Sequence, residues 1–225
     1  MGARAFVWIG GALFVAALSV CAWSYLIVLS RPSPLAGWVP VAIDTALLTI
    51  FAGHHSLFAR EPVKAWLARR VPAALLRSSY VWIASLLLIL IGVAWQPIGG
   101  EIYGATGLLA IALVAVQVVG LFITARAVAR IDPLELAGIR PAPQSGGLQV
   151  DGPFRWVRHP LYLGWSLMVF GAAHMTGDRL AFATITTGYL IVAIPWEERS
   201  LRQSFGGQYE RYMRDVRWRM IPFIY

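Results

Sequence analysis

The chain has 225 residues, of which 58% are hydrophobic and only 13% are charged, and its mean hydropathy is +0.65. This composition excludes an ordinary soluble domain and is typical of a polytopic membrane protein. The net charge of +8 does not indicate nucleic-acid binding, because the basic residues flank apolar segments instead of forming one basic face.

Six apolar segments have lengths near those that a helix needs to cross hydrocarbon. They are Arg4–Leu29, Trp38–Ala59, Ser78–Gln96, Tyr103–Val128, Pro160–Met175 and Leu180–Trp196. Only the segment Thr176–Arg179 separates the last two, which predicts a tight helical hairpin. We therefore expect an all-α integral membrane protein with about six transmembrane helices.

The predicted spans form a single membrane domain, 1–225. Residues 1–130 supply the N-terminal transmembrane helices, and residues 131–225 supply a loop, the hairpin and a tail that together form the cofactor-binding region. Basic residues lie between the second and third spans, between the fourth and fifth, and after the sixth, whereas only Arg31 and Arg179 lie on the other side. Because cytoplasmic loops carry the excess of positive charge, both termini are predicted to be cytoplasmic.

Two polar stretches follow the fourth span. The stretch from Ile131 to Val157 is rich in proline and glycine and predicts a long loop that serves as a lid or binding loop. Apolar residues of the tail recur at spacings of three and four, at Leu201, Phe205, Tyr209, Tyr212 and Val216. This stripe predicts an amphipathic cytoplasmic helix on the membrane surface, with a break at Gly206-Gly207.

A basic and aromatic segment leads into the fifth span. Pro160 suits the first position of a helix and keeps His159 out of helical geometry. Arg158 and His159 should therefore lie at the start of a helix whose first N–H groups lack partners, where a carboxylate or phosphate is favoured. Glu197 and Glu198 end the sixth apolar run on the same side of the membrane. Together they predict one ligand site.

Each of these residues also has a structural interpretation. Arg155 and Arg158 would anchor the loop to anionic headgroups, and Glu197 and Glu198 would pair with nearby arginines at a helix end. We favour a site, because the two clusters bracket one hairpin whose ends emerge together.

Two adjacent histidines, His54 and His55, lie in the second span, where ionisable residues indicate function by default. Adjacent residues of a helix point in different directions, so at most one should face a site. No His-x-x-x-His pair and no cysteine-histidine cluster is present, so we expect no zinc site. A haem ligand stays an alternative for either histidine.

The combined pattern resembles the isoprenylcysteine carboxyl methyltransferase superfamily, which consists of integral membrane enzymes that use S-adenosylmethionine. The resemblance is carried by Gly152–Tyr162, Glu197–Leu201 and Phe205–Tyr212. The N-terminal half is similar to bacterial methanethiol S-methyltransferases and their NnrU-like relatives, through His54–Arg60, Arg77–Val81 and Trp95–Pro97. It departs from the methanethiol enzymes around Ile131–Ile139.

The resemblance implies S-adenosylmethionine as cofactor and S-adenosylhomocysteine as product. The cofactor-binding residues are then Arg158, His159, Pro160, Tyr162, Leu163, Gly164, Trp196, Glu197 and Glu198. The catalytic candidates, as proton acceptors or stabilisers of an anion, are His54, His55, Arg155, Arg158 and His159. The sequence does not decide among these candidates.

The implied acceptor is a small thiol such as methanethiol, giving dimethyl sulfide. A prenylcysteine carboxylate or a lipid is the alternative acceptor, and a haem-binding NnrU-like protein is the alternative of another class. The single cysteine, Cys21, lies in the first span, so we expect direct transfer without a methylated protein thiol. The expected location is a bacterial inner membrane, among membrane lipids, with the site toward the cytoplasm.

Overall fold

The computed structural model describes residues 2–58, 60–140 and 147–225. Ala59, at the end of the predicted second span, and residues 141–146 of the long loop lie outside the described residues. The helices are α1 (Gly2–Trp23), α2 (Trp38–Phe58), α3 (Glu61–Leu67), α4 (Ala73–Ala94), α5 (Gly107–Val128), α6 (Pro133–Leu136), α7 (Pro160–Phe170), α8 (Gly177–Phe205) and α9 (Gly207–Asp215). A π-helix (Ser24–Val28) continues α1, a 3-10 helix spans Gly152–Arg155, and two short strands, β1 (Glu101–Gly104) and β2 (His174–Thr176), form one sheet.

The helical membrane architecture is confirmed. Among the described residues, five helices are long and apolar enough to cross a membrane, namely Gly2–Val28, Trp38–Phe58, Leu75–Ala94, Gly107–Val128 and Gly177–Phe205. Their mean hydropathies lie between 1.3 and 2.6. Helix α7, which begins the predicted fifth span, has only 11 residues and is shorter than these five.

The predicted span Pro160–Met175 is helical only as far as Phe170, and its 11 residues reach roughly 16 Å, about half of the hydrocarbon thickness. The helix ends at Gly171, whose backbone packs so closely on Gln117 of α5 that a Cβ would lie 2.9 Å from the glutamine Cγ. The predicted connector is also wrong in part, because Gly177, Asp178 and Arg179 already belong to α8. The count of six crossings and the hairpin therefore stay predictions.

The chain divides into two compact units. The first comprises the described parts of 2–100 with 132–140 and 176–178, and the second comprises 101–131, 147–175 and 179–225. In the first unit, α1 and α4 pack through Trp82, whose indole N–H donates to the Phe6 carbonyl at 3.0 Å and whose ring stacks on that of Phe6.

Two buried aspartates organise the loop that follows α4 in the first unit. Asp178 accepts from the Trp95 indole at 2.7 Å and from the backbone N–H groups of Ile98 and Gly99 at 2.9 Å. Asp44 of α2 accepts from the Gln96 backbone N–H, also at 2.9 Å. Asp44, a charge-bearing residue within a span, thus has a structural partner in the loop.

In the second unit, α5 and α7 approach closely through small residues. A Cβ on Gly120 would lie 2.6 Å from the Gly164 carbonyl oxygen, and a Cβ on Gly164 would lie 2.2 Å from Thr124 Oγ1. Gln117, the strongly polar residue deep in α5, donates to the Met168 carbonyl at 2.8 Å. Small residues and one interhelical hydrogen bond are how helices associate where lipid removes the hydrophobic driving force.

The tail contains the predicted break, at Gly206, where φ is +50°. Its apolar stripe, however, does not face the membrane surface. Tyr209, Tyr212 and Val216 are buried in a core that also includes Phe154 and Leu201. The predicted amphipathic helix is therefore confirmed as α9, but its apolar face packs against the 3-10 helix region and the end of α8.

The close approach of α5 and α7 generates a stability prediction. Replacing Gly120 with Ala forces its new methyl group against the α7 backbone and should lower the free energy of unfolding by about 1–3 kcal/mol. Gly188→Ala in α8 is the matched control, since a Cβ there meets no atom within 4 Å. Thermal unfolding of both variants in detergent measures the difference, and equal midpoints would contradict the packing.

The charge distribution generates a topology prediction. In a Cys21→Ala background, Ile102→Cys in β1 should react with an impermeant maleimide added outside the cell, whereas Gln149→Cys in the long loop should react only after the membrane is opened. Both positions are exposed. The reverse labelling pattern would rule out cytoplasmic termini.

Candidate functional site

A buried ion pair joins the start of α7 to α8. Arg158 Nε donates to Glu198 Oε1 at 2.7 Å, and the two side chains are only 5% and 0% exposed. Glu198 does not end its helix as the sequence suggested, since α8 continues for about two more turns to Phe205. The carboxylate is thus presented from the side of a helix, which is why it can be fully enclosed.

The same arginine holds the tail. Arg158 Nη1 donates to the carbonyls of Val216 at 2.8 Å and Arg217 at 2.7 Å, and the Arg158 backbone N–H donates to the Trp218 carbonyl at 2.9 Å. The His159 N–H donates to the Arg219 carbonyl at 2.7 Å. Four hydrogen bonds therefore pin residues 216–219 against the start of α7.

The start of α7 has the predicted form. His159 is the N-cap residue, with φ −122° and ψ 66°, and Pro160 is the first helical residue. The His159 ring lies between two carboxylates, with Nδ1 3.5 Å from Glu197 Oε2 and Nε2 3.5 Å from Glu198 Oε1. It also stacks on the Tyr162 ring at a centroid distance of 5.3 Å.

Glu197 forms the open edge of this cluster. Its side chain is 45% exposed, and its Oε2 accepts from the Tyr162 hydroxyl at 2.6 Å. The neighbouring Trp196 is also exposed. Thus one acid, Glu198, is enclosed and pairs with an arginine, while the adjacent acid is accessible and presented beside two aromatic rings.

Three buried polar atoms of the cluster lack a hydrogen-bond partner among the described residues: His159 Nε2, Glu198 Oε2 and the Tyr209 hydroxyl oxygen. Burial raises the pKa of Tyr209 to about 12, so its hydroxyl stays protonated at neutral pH. Because buried polar groups in native proteins are nearly always bonded, such a concentration marks a place for a polar ligand or water.

Sequence reasoning missed two arginines beside Glu198 Oε2. Arg219 Nε lies 3.4 Å away and Arg202 Nη2 lies 3.8 Å away, distances that allow ion pairing. Arg202 follows Glu198 by four residues, so helical spacing was a usable signal. No sequence pattern pointed to Arg219, which the folding back of the tail brings to the site.

Three predicted cofactor residues serve the packing of α7. Pro160 and Leu163 are buried, and Leu163 belongs to a core cluster with Ile123 and Val157. The space beside Gly164 is taken by α5. Their assignment to the cofactor stays a prediction that rests on the resemblance.

The remaining catalytic candidates make other contacts. Arg155 is exposed and donates to Asp151 at 3.0 Å. In the first unit, the His55 Nδ1 lies 2.5 Å from the Tyr80 hydroxyl, and the His54 ring stacks on Tyr80 at 5.3 Å. Within the described ranges, no group of three or more His, Cys, Asp or Glu residues is arranged to hold a metal ion.

The buried pair generates a prediction that separates the two adjacent acids. Glu198→Gln leaves Arg158 enclosed without its counter-charge and should cost about 3–5 kcal/mol of stability. Glu197→Gln should cost less than about 1 kcal/mol, since that carboxylate is half exposed. Denaturant unfolding of the two matched variants in detergent tests this, and similar losses would contradict the division of roles.

The chain is similar to known membrane methyltransferases. A family model described as phospholipid methyltransferase matches residues 108–208, which include Arg158, His159, Glu197 and Glu198. No solved structure matches the chain.

Relatives with curated names match most of the chain. The methanethiol S-methyltransferase of Crocosphaera subtropica is 38% identical over 191 residues, which cover 81% of this chain and 74% of that protein. Methanethiol S-methyltransferase 2 of Bradyrhizobium diazoefficiens is 35% identical over 184 residues, 78% of this chain and 71% of that protein. The methanethiol S-methyltransferase of Mycobacterium tuberculosis is 35% identical over 185 residues, 78% of this chain and 76% of that protein. The chain therefore belongs to the methanethiol S-methyltransferase family of membrane methyltransferases.

Proposed function

We propose that this membrane methyltransferase transfers the methyl group of S-adenosylmethionine to a small thiol such as methanethiol, with dimethyl sulfide and S-adenosylhomocysteine as products. The observation that carries the proposal is the accessible Glu197 carboxylate, set between the Tyr162 hydroxyl and the His159 ring within the matched residues. The names of the relatives support the thiol as acceptor. They also favour methyl transfer over the haem-binding alternative.

The residues of the cluster fit the proposed cofactor. Glu197 can accept from the cofactor ammonium or ribose hydroxyls, and the rings of Tyr162 and Trp196 offer faces to the adenine or the sulfonium. The unpartnered Tyr209 hydroxyl adds a donor, and His159 Nε2 adds a polar atom that still lacks a hydrogen bond. Together these groups offer both polar atoms and aromatic faces, which a site for an amphipathic nucleoside requires.

The cofactor carboxylate needs a cation. Arg158 was the candidate from sequence, but its Nε and Nη1 already donate to Glu198 and to the tail. Arg202 and Arg219 approach Glu198 only at 3.8 and 3.4 Å and are partly exposed. We assign the carboxylate to these two arginines and give Arg158 the role of a positioning residue.

S-adenosylmethionine, when bound, supplies an electrophilic methyl group on a sulfonium. The chain must place the acceptor sulfur in line, about 3–3.5 Å from that carbon, and must exclude water. An acceptor thiol must first lose its proton, because the thiolate is the nucleophile. We assign this proton to His159, whose ring plane is fixed by Tyr162 and whose Nδ1 faces Glu197. His54 and His55 of the first unit stay the alternative acceptors.

A lipid acceptor is the second candidate, because the matching family model is described as phospholipid methyltransferase. In either case the reaction takes place at a membrane. We assign the protein to a bacterial inner membrane. The charge bias supports a site that faces the cytoplasm, so that the soluble cofactor enters from the cytoplasm and the acceptor from the bilayer.

Membranes that contain the protein should convert methanethiol to dimethyl sulfide when S-adenosylmethionine is added, as measured by gas chromatography. The rate should rise with pH until the thiol is fully ionised. Parallel incubations with a farnesylated cysteine analogue and with phosphatidylethanolamine test the other acceptors. Methylation of either of these, without dimethyl sulfide, would overturn the thiol assignment and leave the methyltransferase intact.

Glu197→Gln should weaken S-adenosylhomocysteine binding by about tenfold to a hundredfold, since one charge-assisted hydrogen bond contributes about 1.5–3 kcal/mol. Calorimetry of the purified protein measures the affinity. Glu101→Gln is the matched control, because Glu101 is a similarly exposed acid whose partner, His174, lies outside the cluster. Equal affinity of all three proteins would remove Glu197 from the site.

A further inference from the structure

A cleft that contains several charged residues lies in the second unit, where α5 ends and the 3-10 helix begins. Its volume is about 530 Å³. Three arginines line it, Arg126 and Arg130 from the end of α5 and Arg155 from the 3-10 helix, together with the aromatic residues Phe122 and Trp156. The methyl transfer proposed above uses none of these residues.

The cleft has more positive than negative charge. Asp151 is the acid that lines it, and this carboxylate is engaged by Arg155 at 3.0 Å. Within the part of the chain that the structure describes, Arg126 and Arg130 form no ion pair with an acid. Two positive charges at one opening are therefore left without compensation, which favours an anionic ligand.

The arginines are directed at the cleft by local packing. Gly152 has φ +64°, and its missing Cβ leaves room for Arg130, whose Nε would otherwise lie 3.3 Å from that atom. The Arg126 guanidinium lies 5.8 Å from the centre of the Phe122 ring. Both cations thus lie beside the same opening.

The position of the cleft along α5 indicates what the anion is. The helix is an apolar span that ends at Val128, and its residues Val118, Leu121 and Phe122 are exposed, as a lipid-facing surface is. Arg126 and Arg130 follow at the end of this span. Trp156, which also lines the cleft, is exposed, and exposed Trp side chains near the end of a span are typical of the membrane–water interface.

We propose that this cleft binds the phosphate of an anionic glycerophospholipid, with Arg126 and Arg130 as its ligands and the acyl chains along the exposed face of α5. Basic pockets at the ends of transmembrane helices bind lipid headgroups in this way. The two arginines would also bind a free phosphate. The exposed apolar face of α5 next to them, however, matches acyl chains. The proposal is independent of the acceptor and of the cofactor.

The test uses the purified full chain in a neutral detergent, titrated with phosphatidylglycerol and with phosphatidylcholine while thermal unfolding is followed. Phosphatidylglycerol should stabilise the wild type far more than phosphatidylcholine does. The double variant Arg126→Gln/Arg130→Gln should show about tenfold to thirtyfold weaker apparent affinity for phosphatidylglycerol at low salt, because each arginine near an anionic headgroup contributes about fivefold. Its unfolding midpoint without lipid should match the wild type, since both side chains are exposed.

The matched control is Arg211→Gln/Arg214→Gln, which removes the same charge from exposed positions of α9. It should keep wild-type lipid affinity, and an equal loss in both double variants would show bulk electrostatics and overturn the cleft. Glycerol phosphate distinguishes the source of the anion: protection by it at the same concentration as phosphatidylglycerol would overturn the lipid assignment. A loss of S-adenosylhomocysteine affinity in Arg126→Gln/Arg130→Gln without lipid would assign the cleft to the cofactor instead.

Discussion

The enclosed pair of Arg158 and Glu198 is the interaction on which the proposed site depends. A carboxylate without solvent is stable only when its charge is compensated. Arg158 provides that compensation with one nitrogen and uses another to hold the tail carbonyls. One side chain therefore joins α7, α8 and the tail, and the loss of Glu198 would leave the enclosed Arg158 without a counter-charge.

The pair also explains why two adjacent acids have different roles. Successive residues of a helix point about 100° apart, so Glu198 faces the protein interior while Glu197 faces the opening. His159, at the start of α7, lies within 3.5 Å of both carboxylates. A rigid ion pair and an accessible acid are thus placed side by side, which is the arrangement that a preorganised site requires.

Small residues provide the frame around this cluster. Gly120 and Gly164 bring the α5 and α7 backbones into contact, and Gly171 ends α7 against α5. In a bilayer, lipid is as apolar as leucine, so close packing and a few hydrogen bonds must hold helices together. The motif glycine at 164 therefore has a packing role that a search for ligand-binding residues would not suggest.

The sequence by itself determined the membrane class, the helical architecture, the His159–Pro160 helix start, the break at Gly206 and the family, because hydropathy, proline geometry and local motifs are properties of short segments. Only the tertiary structure decided that Arg158 is enclosed, that Arg219 reaches Glu198, and that the tyrosine stripe of the tail is covered by protein. These features depend on contacts between residues far apart in the sequence, such as Arg158 and Glu198, which are 40 positions apart, and such contacts follow from how helices pack. No local pattern encodes that packing, since the sequence at a helix start is the same whether a ligand or another part of the chain binds its polar groups.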